Sequence, residues 1–253
     1  VMDFLIAAGS EVVAVSPTTQ SGAADSLSAG PTPGERRLKS FFSLGAALRM
    51  GTLVSAALRD RRQSASAEDS DKSPDPLLVK VAKTNLENAM AHLRDLKGPG
   101  SLTSKTDAVI RLLDSTEKLM QAAELAAELE QECDDWVLGG ETDSLERINY
   151  DLGAWLIEMK LGLILPAQDR ERCSKFRTAA ELQKAPEAVV TLLAEVGAAL
   201  AVMDQQRSVT GKEVISRRAD ALISIGFLVP AGRTTTTAKS ASGSAKESPP
   251  GIN

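Results

Sequence analysis

Apolar side chains in the middle of the chain recur at alternating intervals of three and four residues. An α-helix turns every 3.6 residues, so this spacing places the side chains on one face, as in a helix packed lengthwise on others. The pattern predicts one helix of about 50 Å, here called the ladder helix, between a capping box at Ser104 and the pair Gly139-Gly140. Its stripe consists of Val109, Leu112, Thr116, Leu119, Ala123, Ala126, Glu130, Cys133 and Val137.

Similar stripes on both sides of the ladder helix predict further helices. They cover residues 77–97, a segment from about 143 to 165, residues 186–203 and residues 210–226, with a short exposed helix in the polar stretch 167–184. Gly98-Pro99-Gly100 and Pro166 provide stops between them. The predicted fold is all-α: an antiparallel bundle of four principal helices plus a shorter C-terminal helix, within residues 77–228.

The remaining segments are distinguished by composition. Residues 1–34 combine a short apolar stretch with a linker rich in small and polar residues, residues 63–76 form a polar linker, and residues 229–253 form a low-complexity tail. Segments of such composition bury too little apolar surface to fold, so the linker before residue 35 and the tail are predicted to be disordered, and residues 63–76 are predicted to be a domain boundary. The apolar stretch 1–15 is too short to cross a bilayer, which favours a soluble chain.

Residues 35–62 form an apolar segment with arginines at both ends, and the pattern predicts an amphipathic helix. Three roles stay open for it: a helix docked on the bundle, a helix on a membrane surface or partner, and a targeting element. Arg36-Arg37 ahead of an apolar stretch that ends in Val54-Ser55-Ala56-Ala57 resembles a twin-arginine export signal. That resemblance implies an exported or organelle-lumen bundle that loses residues 1–62. The first residue, Val1 rather than Met, is typical of a processed or incomplete product.

Charge is segregated along the chain, although the net charge is only −5. Residues 35–62 and residues 207–246 each carry seven Lys and Arg against two acids, whereas the centre is acidic. Basic flanks of this kind suit nucleic acid or an anionic membrane, or they fold back on the acidic centre. The candidate polyanion contacts are Arg36, Arg37, Arg61, Arg62, Arg217 and Arg218.

Residues 210–233 carry a second resemblance. Glu213 to Arg218, continuing through Leu222 to Gly226-Phe227-Leu228-Val229, resembles the recognition helix and first wing strand of winged-helix DNA-binding domains. The resemblance implies that Arg217 and Arg218 face the DNA. The sequence departs from the family at Pro230, which interrupts the expected strand.

Catalytic motifs are missing from the sequence. His92 is the single histidine of the 253-residue chain, and it lies mid-helix without a flanking motif. The two cysteines, Cys133 and Cys173, are too few for a metal cluster or a disulfide framework, and their pairing stays open. Aromatic residues make up only 3% of the chain. The sequence therefore predicts no enzymatic activity, no cofactor and no metal site.

The predicted length of the ladder helix suggests an interaction surface. It exceeds its predicted neighbours by about 20 Å, so residues around 128–138 are expected to overhang the core and bind a partner or a second copy. The candidate interface residues are Glu130, Cys133, Trp136 and Val137. The sequence thus favours a structural or assembly subunit that binds other proteins through helical surfaces. A nucleic-acid-binding protein and an exported bundle are the alternatives.

Overall fold

The computed structural model describes residues 32–64, 74–139, 144–206 and 210–226. Within these ranges the chain forms eight α-helices, one 3-10 turn and no strand, which confirms the predicted all-α fold. The helices are α1 (Pro33–Ser64), α2 (Pro76–Asp95), α3 (Gly100–Leu112), α4 (Leu119–Leu138), α5 (Leu145–Lys160), α6 (Pro166–Leu182), α7 (Glu187–Gln206) and α8 (Thr210–Ile225). Outside the described residues lie 1–31 and the predicted tail 229–253, together with 65–73 of the predicted polar linker. Residues 33–34, 63–64 and 76, which were predicted as linker, belong to α1 and α2.

Helix α1 lies at the centre of the bundle. It packs along α2, α4 and α5, and the side chains of Leu44, Leu48 and Val54 are fully buried. Residues 35–62 are therefore a docked helix, and the bundle extends beyond the predicted range 77–228. By length and composition α1 could also cross a membrane, with a mean hydropathy of 1.5 over its most apolar window, but 72% of that window is buried inside the protein.

The prediction of one long ladder helix is wrong. Helix α3 ends at Leu112, a 3-10 turn follows at Thr116–Lys118, and α4 begins at Leu119. Asp114, Ser115 and Thr116 favour turns because their side chains compete for backbone hydrogen bonds, and Ser115 adopts an extended conformation. The apolar spacing continues across this break because both helices face the same core. Helix α4 has 20 residues, as many as α2 and α7, so the excess length that predicted an overhang is absent from α4.

Helices α1 and α5 cross in backbone contact. A Cβ atom added at Gly45 of α1 would collide with the carbonyl oxygen of Tyr150, and one added at Gly153 of α5 would collide with that of Phe42. Such close approach is available only where both helices carry glycine at the crossing. It joins the core around α1–α4 to the core around α5–α8.

The two cysteines lie in different parts of the core. Cys133 packs in the cluster around α1, and Cys173 packs in the cluster around α7, where its Sγ lies 3.1 Å from the carbonyl oxygen of Leu193. Both thiols are free and buried. Helix α6, predicted as exposed, buries Cys173, Phe176 and Ala180 against α7.

Candidate functional site

A polar groove of about 480 Å³ lies over α5, between α4 and α6. Each helix contributes side chains three and four positions apart, which places them on one helical face. Arg49 of α1 reaches into the groove from below. Its polar and aromatic lining includes Glu130, Gln131 and Asp134 of α4, Arg147, Tyr150, Asp151, Trp155 and Glu158 of α5, and Arg172 and Lys175 of α6.

Arg49 connects α4, which forms one wall of the groove, to α5, which forms its floor. Its Nη1 donates to both carboxylate oxygens of Glu130 at 3.1 Å, and its Nη2 lies 2.6 Å from Oε1 of Glu158. All three side chains are less than a third exposed, so each charge depends on its partner. The Nε atom of Arg49 is buried and has no hydrogen-bond partner within the described ranges.

The charged network continues from Glu158 to α6. The Oε2 atom of Glu158 accepts a hydrogen bond from Nη1 of Arg172 at 2.9 Å, and the same Nη1 lies 3.8 Å from Oδ1 of Asp169. Asp169 is 2% exposed and accepts from the indole Nε1 of Trp155 at 3.0 Å and from the backbone N–H of Leu165 at 2.6 Å. Five groups of alternating charge therefore link α1, α4, α5 and α6.

Arg147 forms a second connection, at the other end of the groove. Its Nε donates to Oδ2 of Asp151 at 2.9 Å, and its Nη1 donates to the backbone carbonyl of Asp134 at 3.1 Å. The guanidinium carbon also lies 5.8 Å from the centre of the Tyr150 ring. The groove is thus bridged by arginine at both ends.

Burial shifts the titration of the acidic groups in the groove. Desolvation raises the pKa of Glu130, and the Arg49 cation opposes this rise without cancelling it. Desolvation also raises the pKa of Asp151, against the opposing effect of Arg147. The pKa of Tyr150 lies well above its ordinary value because the phenol is buried, so it stays protonated near neutral pH.

The two walls of the groove differ in charge. Glu130 and Asp134 lie on the α4 side, whereas Arg172 and Lys175 lie on the α6 side. Lys175 makes no ion pair within the part of the chain that the structure describes. No group of three His, Cys, Asp or Glu side chains able to hold a metal ion occurs among the described residues. The arrangement suits a bound segment that carries both signs of charge.

The prediction that residues around 128–138 project beyond the core is wrong. Cys133 and Val137 belong to the core, with exposures of 0% and 7%, and Glu130 is paired with Arg49. Trp136 is half-buried and stacks on Phe41 of α1 with ring centres 6.0 Å apart. These side chains pack within the chain, against α1 and the core that it shares with α4.

The predicted polyanion contacts are distributed over the molecule. Arg36 and Arg61 stand near opposite ends of α1, roughly 35–40 Å apart. Several of the six arginines bind the chain's own carboxylates: Arg37 binds Glu146, Arg61 binds Asp75 and Arg218 binds Glu195. Arg36 and Arg217 are exposed and make no ion pair within the described ranges, whereas Arg62 has a contact within the chain. Three of the six arginines are thus paired with carboxylates of the chain itself.

The winged-helix resemblance is only partly covered by the structure. Residues 210–225 form α8, which packs on α5 and α7 and positions Arg217 on its exposed side. The hydroxyl of Ser216 donates to the carbonyl of Lys160 at 3.0 Å, which fixes α8 on the end of α5. The expected wing strand at 227–229 and Pro230 lie outside the described residues. DNA binding stays a prediction.

Sequence reasoning missed the groove, although two signals pointed to it. Arg49 is the lone charge inside the apolar run of α1, and Glu130 is the lone charge in the apolar stripe of the ladder helix. A charged side chain on a buried helix face requires a partner of opposite charge, and Arg49 and Glu130 are partners of each other.

In comparisons with known proteins, no family model, no curated protein and no solved structure matches this chain.

Proposed function

We propose that this chain is a non-enzymatic assembly subunit that holds a charged segment of a partner protein in the groove over α5. The observation that carries the proposal is the pair of facing walls with opposite charge. A segment with basic side chains toward α4 and acidic side chains toward α6 is complementary to these walls.

The charged network supports the proposal because it orders the groove before a partner arrives. Arg49 and Arg172 hold the side chains of Glu130, Glu158 and Asp169 in fixed positions. A preorganised surface loses less conformational entropy on binding, so more of the interaction energy is expressed as affinity. Charged walls also accelerate encounter with a partner and make the complex sensitive to salt.

Charge reversal on the basic wall tests this proposal. Lys175→Glu should weaken the complex with a partner purified from the native source by about tenfold, equal to about 1.4 kcal/mol. Lys80→Glu is the matched control, since Lys80 is exposed on α2, outside the groove, and the change in net charge is the same. Both variants should melt as the unmodified chain does.

Binding is measured by isothermal titration at low and high salt. Loss of affinity in Lys175→Glu alone supports the groove as the binding site. Unchanged affinity in Lys175→Glu, or equal loss in both variants, would show that the partner binds elsewhere.

A further inference from the structure

A second cleft, of about 570 Å³, lies at the other side of α1, between its first turns and the last turn of α2. It is lined by Arg36, Arg37, Lys39 and Ser40 of α1 and by His92 and Asp95 of α2. Three cationic side chains therefore face a single carboxylate. This cleft is separate from the groove over α5 and has no part in the function proposed above.

Several polar groups in the cleft have no partner among the residues that the structure describes. The side chains of Arg36 and Lys39 are exposed and form no ion pair within the described ranges. The Ser40 hydroxyl forms no hydrogen bond there either, and the buried Nδ1 of His92 is unpartnered in the same ranges. Arg37 differs, because its Nε already binds Glu146 at 2.5 Å. The free groups are two cations, a hydroxyl and an imidazole nitrogen.

The first turn of α1 is held in place locally. The backbone N–H and the hydroxyl of Thr32 donate to Oε2 of Glu35 at 2.7 and 2.8 Å, and the N–H of Glu35 donates back to Thr32 Oγ1 at 3.2 Å. This reciprocal capping box fixes the start of the helix that presents Arg36, Lys39 and Ser40.

We propose that this cleft binds a compact dianion of the phosphate class, either free or as a terminal phosphate monoester. Arg36 and Lys39 supply the charge, and Ser40 and His92 supply directed hydrogen bonds. Guanidinium, ammonium and hydroxyl groups are the side chains that most often contact phosphate oxygens. Asp95 is the one carboxylate among the residues that line the cleft, so the cleft carries a net positive charge.

The pKa of the His92 imidazole indicates whether a dianion is bound in the cleft. Burial lowers the pKa of His92, Asp95 opposes this by raising it, and Lys39 lowers it further, so the ring is neutral at pH 7 in the free protein. A dianion beside the ring favours its charged form and raises its pKa. By linkage, the dianion binds more tightly as the pH falls through the pKa of His92.

Because His92 is the only histidine in the chain, its ring signals in an NMR spectrum need no further assignment. The full chain is titrated with pH in sodium sulfate and in sodium chloride of equal ionic strength. Sulfate stays a dianion over the pH range in which His92 titrates, so protonation of sulfate does not contribute to the measured change in the pKa of His92. The pKa of His92 should rise by about one unit in sulfate relative to chloride.

Matched variants locate the effect. Arg36→Gln and Lys39→Gln should each remove most of the sulfate-dependent shift, whereas Arg217→Gln, an equal loss of exposed charge on α8, should leave it unchanged. Equal shifts in sulfate and chloride, no shift in either, or equal loss in Arg217→Gln would overturn the proposal.

Two further probes distinguish the source of the dianion. Inorganic phosphate is titrated in solution, and phosphatidylcholine vesicles with and without phosphatidic acid are tested by sedimentation. A response to phosphate in solution that Arg36→Gln removes assigns a free anion. Sedimentation only with phosphatidic acid, also removed by Arg36→Gln, assigns a lipid headgroup. If the chain responds to neither probe, the cleft is not a site for this class of anion.

Discussion

Arg49 has the largest influence on the groove of any single residue. Its guanidinium neutralises Glu130 and Glu158, which come from different helices and are both mostly buried. Removing one member of a buried ionic group strands the remaining charges, and for fully buried pairs this costs about 3–5 kcal/mol. These side chains keep some access to water, so a smaller penalty is expected here.

Arg49→Met should therefore reduce the free energy of unfolding by about 2 kcal/mol at pH 7. Arg59→Met is the matched control on the same helix, because Arg59 pairs with its exposed neighbour Asp60 and, among the described residues, with no other acid. Exposed pairs of this kind contribute about 0–1 kcal/mol. Urea denaturation of the two variants and the parent chain measures both effects. Equal, small losses in the two variants would contradict the role given to Arg49.

The penalty of Arg49→Met should also depend on pH. The pKa of Glu130 is already raised in the folded protein by burial, and loss of the cation raises it further. A carboxyl group with a raised folded pKa binds its proton more tightly when folded, so its destabilising effect is present at high pH and disappears as pH falls below its unfolded value. The difference in free energy of unfolding between Arg49→Met and the parent chain should therefore become smaller as the pH falls from 7 to 4. A constant gap would show that lost packing, not stranded charge, causes the effect.

At the scale of helices, the crossing of α1 and α5 depends on two glycines. Gly45 and Gly153 each face a backbone carbonyl of the other helix, where no side chain can move aside. Ala in place of either glycine forces the two helices apart, which disturbs the floor of the groove as well as the core.

Gly153→Ala should lower the free energy of unfolding by about 1–3 kcal/mol, the range for overpacked cores. Gly100→Ala is the control, since an added Cβ there meets nothing within 4 Å, and at such a site Ala is neutral or stabilises by up to about 1 kcal/mol. Chemical denaturation followed by circular dichroism gives both values. Similar stability of the two variants would contradict the close crossing.

Helix periodicity in the sequence predicted most elements but not their interruptions. Residues 77–97 and 210–226 were predicted close to the observed α2 and α8. The prediction of one continuous ladder helix failed because α3 and α4 bury their apolar stripes in the same cluster. The spacing of apolar residues therefore continues through the turn at Ser115. A periodic pattern shows which face is buried, and it does not show whether the backbone is continuous.

At the scale of the whole molecule, composition misplaced the boundary of the domain. The polar segment 63–76 was predicted to separate α1 from the bundle, yet α1 packs along α2, α4 and α5. The arginines at both ends of α1 left three roles open for this helix, docking on the bundle among them, and in the structure the charged ends reach the surface while the apolar centre is buried. The groove was missed because the isolated charges of Arg49 and Glu130 indicate that partners are needed, and the sequence does not show that Arg49 pairs with both Glu130 and Glu158.

Site-specific photo-crosslinking tests whether a partner protein lies in the groove over α5. A photoreactive residue replaces Gln131, which lines the groove on α4, or Gln121, which is exposed on the same helix about 15 Å away and outside the groove. The proposed function predicts crosslinks from position 131 to one defined segment of the co-purifying partner and none from position 121. Equal crosslinking at both positions, or none from position 131 in an intact complex, would contradict it.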